Sequence, residues 1–185
     1  MKTQRIAPVE NPDEEVTAIL DQTAVGNERG EALNIFRTLA HHPRLLRRFN
    51  GLGGAFMTRG LLEPRLRELV ILRVAWLSRC DYEWGQHVVI AEQQGIPPAE
   101  IEALTDDLSA GHWSEQEKAA LMVTGRLIDD CSIEDDLWAA LTAHFSAPEL
   151  LELLMLIGFY RMTAGVLNAV AVTRETWLPA LPEEQ

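Results

Sequence analysis

The sequence predicts an all-α protein on three observations. Apolar residues recur at three- and four-residue intervals through most of the chain. No apolar–polar alternation persists beyond a few residues, so no strand is expected. The periodic stretches are separated by helix punctuation: proline at several starts, glycine or paired prolines beyond ends, and a Ser114…Glu117 pair with capping-box spacing.

Residues 1–12, with Pro8 and Pro12, read as an irregular arm, and Pro12 then suits the start of a short helix over 13–22 whose early acids favour a helix N-terminus. Residues 25–30 read as a turn. Leu33, Phe36, Leu39 and Ala40 give a helical period over 32–40, ended by His41-His42-Pro43. Pro43 opens the next helix, which runs through Leu46, Phe49, Leu52 and Phe56 to Gly60. Gly51, Gly53 and Gly54 lie inside it, each costing up to about 1 kcal/mol relative to alanine, so close packing against another backbone or a ligand is expected there.

Pro64 begins a helix whose band of Leu69, Val70, Leu72, Ala75 and Trp76 is broad enough to imply burial on more than one side. The following helix is expected to start at Cys80 or just before, with Ser78 as N-cap and Asp81 as the capping-box acid, and to stop at Gly95 ahead of Pro97-Pro98. A short helix over 98–107, a loop at Gly111-His112-Trp113 and helices over 115–129, 133–145 and 148–172 complete the chain. The last is apolar enough to be weighed as a membrane span. Glu152, Arg161 and Asn168 interrupt it, and a charge near mid-span costs about 2.5–3.5 kcal/mol on insertion scales, so a buried helix is expected, with Arg161 paired to an acid at a helix crossing. Tyr160 and Arg161 reaching a substrate carboxylate is the alternative.

At 185 residues and 47% hydrophobic content, the chain 1–185 fits one domain with a substantial core. Sixteen basic against 28 acidic residues give a net charge of −12, which opposes binding to nucleic acid or an anionic membrane. No apolar run follows Lys2 and Arg5, so no signal peptide is expected, and Cys80 and Cys131 read as reduced thiols in a cytoplasm. There is no nucleotide-type glycine motif, and no cofactor is expected.

On a helix advancing roughly 100° per residue, Cys80, Glu83 and His87 share a sector of about 60°. A thiol, a carboxylate and an imidazole are the groups that proton transfer and thiolate chemistry require. A first-turn position favours the Cys80 thiolate, while Asp81 and Glu83 oppose it. Glu68, set among apolar neighbours on the preceding helix, fits either a proton relay or a salt bridge with Arg65 or Arg73. The plain structural reading is a cysteine that fills the core and a surface Glu83–His87 pair worth a few tenths of a kcal/mol. Cys, Glu and His also ligate zinc, but one stripe supplies too few donors for a closed site, so no metal is expected. Arg65, Arg67, Arg73 and Arg79 surround the stripe and favour a small anionic ligand.

The order Glu68, Cys80, Glu83, His87 resembles the carboxymuconolactone decarboxylase and alkylhydroperoxidase D-like superfamily, most clearly over residues 34–126. Its peroxidase branch carries a glutamate and then Cys-x-x-Cys-x-x-x-His on a helix; here Glu83 stands at the second cysteine, so no dithiol can form. The resemblance implies a multi-helix bundle, assembly as a homotrimer or homohexamer, and catalytic roles for Glu68, Cys80, Glu83 and His87. Three functions are then expected to compete. The first is a cofactor-free decarboxylase-type lyase moving protons on a small carboxylated lactone. The second is a thiol-dependent hydroperoxide reductase using Cys80 alone, and the third a non-enzymatic helical oligomer that binds a small molecule.

Overall fold

The structure, a computed structural model, describes residues 3–24 and 30–183. Among them are nine α-helices and no strand: α1 (Glu14–Ala24), α2 (Asn34–Leu39), α3 (Pro43–Arg59), α4 (Pro64–Leu77), α5 (Asp81–Gln93), α6 (Pro98–Ala103), α7 (Glu115–Asp129), α8 (Asp135–Thr142) and α9 (Ala147–Val170). The all-α expectation is met. Pro43, Pro64 and Pro98 each occupy the first turn of a helix, and Ser114 and Glu117 form the expected capping box. The turn expected at 25–30 lies outside the described residues except for Gly30.

The broad apolar band of α4 has a simple cause: this helix is the hub, packed against α5, α7 and α9 at once. Leu69, Val70, Ile71, Leu72, Val74 and Ala75 are sealed from solvent. One core joins α4 to α3, α7, α8 and α9; a second lies between α4, α5, α6 and the start of α7. α1 and α2 pack on α3 as a separate layer around Val16, Ile19, Leu20 and Leu46.

α9 is long and apolar enough, by length and composition, to cross a membrane, and half of its apolar window is buried against the chain. Two of the polar residues that interrupt it serve the fold. The Glu152 carboxylate accepts the N–H groups of Leu61 and Leu62 at 2.8 and 3.0 Å, and Asn168 Nδ2 donates to Ser78 O at 2.8 Å. Arg161 departs from expectation: it points outward, and no ion pair holds it among the described residues.

The start of α5 also differs from the sequence reading. Ser78 ends α4 rather than opening α5. Arg79 adopts a left-handed conformation with φ +51°, and the Arg79 and Cys80 N–H groups return to Trp76 O and Ala75 O at 3.0 and 2.9 Å. That is the hydrogen-bond pattern of a Schellman stop, with arginine where glycine is usual. Cys80 becomes the N-cap of α5, its carbonyl accepting from Trp84 N–H at 3.0 Å. Asp81, freed from capping, pairs with Arg174 Nε at 2.9 Å and accepts from the Leu181 N–H at 2.8 Å, which ties the C-terminal segment across α5. Gly85 permits that crossing, since a Cβ there would lie 2.6 Å from Pro179 O. The far end of α5 follows expectation: Gly95, at φ +78°, and Ile96 close another Schellman stop onto Glu92 O and Ala91 O.

Candidate active site

Glu83 and His87, one turn apart on α5, face a cavity of about 530 Å³ roofed by α1 and α2 and walled by α3 and α9. Its lining is mostly apolar and aromatic, with Phe36, Phe49, Phe159 and Tyr160 prominent. Gly53 and Gly54 lie on its α3 wall. A Cβ on Gly53 would meet the Phe159 ring at 3.1 Å, whereas Gly54 faces open space, so close packing explains the first and room in the cavity the second. A larger, open hollow of about 630 Å³ beside Trp76 and Trp84 contains none of the four sequence-predicted residues.

Glu68 sits behind His87, completely buried. Its Oε2 lies 2.7 Å from His87 Nδ1 and its Oε1 accepts from Arg67 Nε at 2.9 Å, while Arg67 also donates to Met57 O at 3.1 Å. The expected partners are otherwise engaged: Arg65 binds Glu100 and Glu117, and Arg73 donates to Leu104 O and Asp106 O. Burial alone would push the Glu68 carboxyl up, but His87 and then Arg67 outweigh it and hold it below the usual carboxylate range. An ionised Glu68 accepts from Nδ1–H, which fixes the ring orientation and leaves Nε2 for the cavity. Tyr160 packs edge-on against the imidazole, centroids 4.9 Å apart, and its hydroxyl contacts Met57 Sδ at 3.4 Å.

Glu83 has the opposite environment. Both carboxyl oxygens are buried without a hydrogen-bond partner, and burial pushes its pKa well above the usual value, which favours the protonated acid. Two carboxyls one helix apart are thus driven in opposite directions, the pattern that separates an acid from a group that stays charged. The surface-pair alternative for Glu83 and His87 fails on burial.

Cys80 does not join them at the cavity. Its side chain is fully enclosed, packed with Tyr82, Ala164 and Leu167. Burial first, and the Glu83 charge when that group ionises, push the thiol up to about 12, against the lowering effect of the Glu83 and Tyr82 N–H groups at the helix start. The first-turn effect expected from sequence is present and loses to desolvation. Nor do the arginines around the stripe face the cavity: Arg67 is committed to Glu68, Arg79 stacks on Trp76 at 4.1 Å, and among the described residues no lysine or arginine lines it. No group of three or more His, Cys, Asp or Glu residues converges to hold a metal among the described residues.

Two features have no local sequence signal. Glu175, buried in the C-terminal segment, accepts from Tyr82 Oη at 3.0 Å, Gln86 Nε2 at 2.9 Å and Asn34 N–H at 2.8 Å, fastening α2 to α5 at the edge of the cavity. Asn50, on α3, is also among the residues that line this cavity, and its Oδ1 is buried without a hydrogen-bond partner.

The segment containing these catalytic candidates is recognisable. Residues 43–125 match the Carboxymuconolactone decarboxylase family. The resemblance seen in Glu68, Cys80, Glu83 and His87 is met, and all four lie within the matched segment. No curated protein matches the chain in sequence. Among solved structures, an uncharacterised peroxidase-related protein from Silicibacter sp. TM1040 superposes with a TM-score of 0.82 at 17% identity over 95% of both chains. An alkylhydroperoxidase AhpD core, an uncharacterised peroxidase-related protein from Ralstonia eutropha JMP134, gives 0.80 at 18% identity, also over 95% of both. A debrominase in complex with 2,3,4-tribromopyrrole gives 0.76 at 15%, over 95% of this chain and 94% of that one. At these identities the likeness to the solved structures is one of fold, and the described residues share the AhpD-like all-helical fold.

Proposed function

We propose that this protein is a cofactor-free acid–base enzyme acting on a small organic molecule, with His87 as base, Glu68 as the group that orients it and Glu83 as the protonated acid. The observation that carries the reading is the 2.7 Å Glu68–His87 contact on the wall of a cavity shared with an unpartnered, buried Glu83. Proton transfer to and from positioned side chains contributes about 10²–10⁴-fold. Of the family's activities the decarboxylase-type lyase fits this set, because it needs no second cysteine. The cavity's lack of a described lysine or arginine disfavours holding a carboxylate as the main recognition element.

Peroxide reduction is the second reading, favoured by the Tyr82 and Glu83 N–H groups that face the Cys80 sulfur. There the thiolate would attack the O–O bond, release an alcohol and become a sulfenic acid, to be reduced by an external thiol. A thiol pushed to about 12 and shielded from the cavity makes this the weaker alternative. The two readings separate on Cys80→Ala. Turnover on a panel of lactone acids and organic hydroperoxides is expected to persist within a few-fold, and native thiol labelling should modify exposed Cys131 rapidly and Cys80 only on unfolding. Loss of all activity in Cys80→Ala, with fast labelling of Cys80, would transfer the chemistry to sulfur.

The same proposal includes a homotrimer or homohexamer in the cytoplasm. Leu151, Met155, Met162 and Val166 form an apolar stripe on the outer face of α9, Leu151 being 66% exposed. Such a patch fits contact with another copy. Light scattering should give three or six times 20.7 kDa, and Met155→Glu with Met162→Glu should shift the protein to monomer. A monomeric parent protein would refute the assembly.

A further inference from the structure

We propose that Tyr160 is a further catalytic residue, whose hydroxyl donates to a substrate carbonyl oxygen as that oxygen takes on charge. The substrate class that follows is a carboxylic acid conjugated to a lactone or ketone carbonyl, held through the carbonyl and not through the carboxylate. The inference rests on the acid–base reading above. Of the Tyr160–Arg161 pair on α9, only Tyr160 lines the cavity, where it is buried beside His87. Its ring packs edge-on against the imidazole, centroids 4.9 Å apart, and against the Phe159 ring at 5.3 Å, which fixes its position. The hydroxyl has one partner among the described residues, Met57 Sδ at 3.4 Å, and Met57 lines the same cavity. A thioether is a weak acceptor, so a carbonyl oxygen displaces it at little cost. The hydroxyl also keeps its proton: burial first, then the Glu68 and Glu83 charges, push the phenol far up.

The placement of charge partners decides which state the cavity favours. No lysine or arginine among the described residues lines it, so a bound carboxylate is desolvated without a counter-ion. When the carbon–carboxylate bond breaks, its electron pair passes through the conjugated system to the carbonyl oxygen, and carbon dioxide leaves. Charge thus moves from a group without a counter-ion to the oxygen held by the Tyr160 O–H, a contact stronger in the transition state than in the ground state. The enolate then takes a proton at carbon from the His87–Glu83 pair, which regains one from water. One carboxylate and one proton are consumed, one C–H bond and one carbon dioxide are formed, and no oxidant or reductant is needed.

Calorimetric titration of the full-length protein with 4-nitrophenolate, at mildly alkaline pH, and with neutral 4-nitroanisole tests the donor. The phenolate carries its charge on an oxygen attached to an unsaturated carbon, as an enolate does. Tyr160→Phe should bind the phenolate about 10–100-fold more weakly, the range for a hydrogen bond to a charged group, and the ether within about two-fold of the parent. Its unfolding midpoint should stay close to the parent's, since only a weak O–H···S contact is lost. On lactone and keto acids, Tyr160→Phe should lower kcat by about 10²–10³-fold and leave KM nearly unchanged, a split that a merely structural role would not produce. The inference is overturned if the phenolate fails to bind the parent, if Tyr160→Phe keeps the phenolate affinity, or if it weakens both probes equally. A Tyr160→Phe kcat equal to the parent's on an acid the parent decarboxylates would also overturn it; where the parent turns over none of the acids, the titration decides alone. Turnover by His87→Ala at the parent rate, while Tyr160→Phe still loses only the phenolate, would reject the acid–base reading and leave the Tyr160 donor in place.

Discussion

Glu68→Ala is expected to destabilise the fold by about 3–5 kcal/mol, the cost of removing one member of a buried charge cluster. Glu68 is fully buried and Arg67 nearly so, with the guanidinium committed to Glu68 Oε1 at 2.9 Å and Met57 O at 3.1 Å. Truncating the carboxylate leaves the guanidinium desolvated with one carbonyl for company, and takes from His87 the acceptor at Nδ1. Glu68→Gln should lose less, because its single carbonyl oxygen can still serve one of the two donors. The pH dependence has a definite sign. Glu68 is held below the usual carboxylate range, so its stabilisation is complete above the unfolded value near about 4.3 and is lost as pH falls through the lower native value. Urea unfolding of both variants between pH 3 and 7 checks this. A Glu68→Ala midpoint equal to that of the parent would show that the cluster does not hold α4 to α5.

The helix order was legible because its signals are local. Proline at 43, 64 and 98 and the Ser114–Glu117 box act within one turn, and each marks a helix start where expected. The α4–α5 junction was misread because arginine took the left-handed position that glycine normally announces, and because cysteine is not a typical capping residue. The 100° spacing put Cys80, Glu83 and His87 on one stripe, whereas Cys80 is the extended N-cap of α5 and only Glu83 and His87 reach the cavity, because an angle carries no depth. Ala164 and Leu167, some 85 residues on, seal Cys80 while leaving Glu83 and His87 on the cavity. Arg67 was passed over as the partner of Glu68 since adjacent residues on a helix do not normally face each other. Glu175 and Asn50 depend on contacts across the fold, for which periodicity offers no signal.

Replacing His87 with alanine is expected to lower kcat/KM by about 10²–10⁴-fold on whichever substrate the parent protein turns over, with a much smaller loss of stability than Glu68→Ala. Among the described residues the imidazole is the only group that both lines the cavity and is anchored to Glu68, so none of them can take over its proton. Glu83→Gln should separate acid from base. Activity that needs a protonated Glu83 falls as pH rises through its native pKa, which burial places well above the usual value, so the parent should show an alkaline limb. In Glu83→Gln the rate drops and that limb disappears. Stability moves the other way: the native state holds a proton the unfolded chain gives up, so Glu83 weakens the parent increasingly as pH rises from about 4.3 through its native pKa. The amide, free of that penalty, should unfold at the same or a higher urea concentration at neutral and alkaline pH. A Glu83→Gln protein with the parent's alkaline limb would require a different acid, and Tyr160, buried against His87 with its own pKa pushed far up, is the next group on that wall.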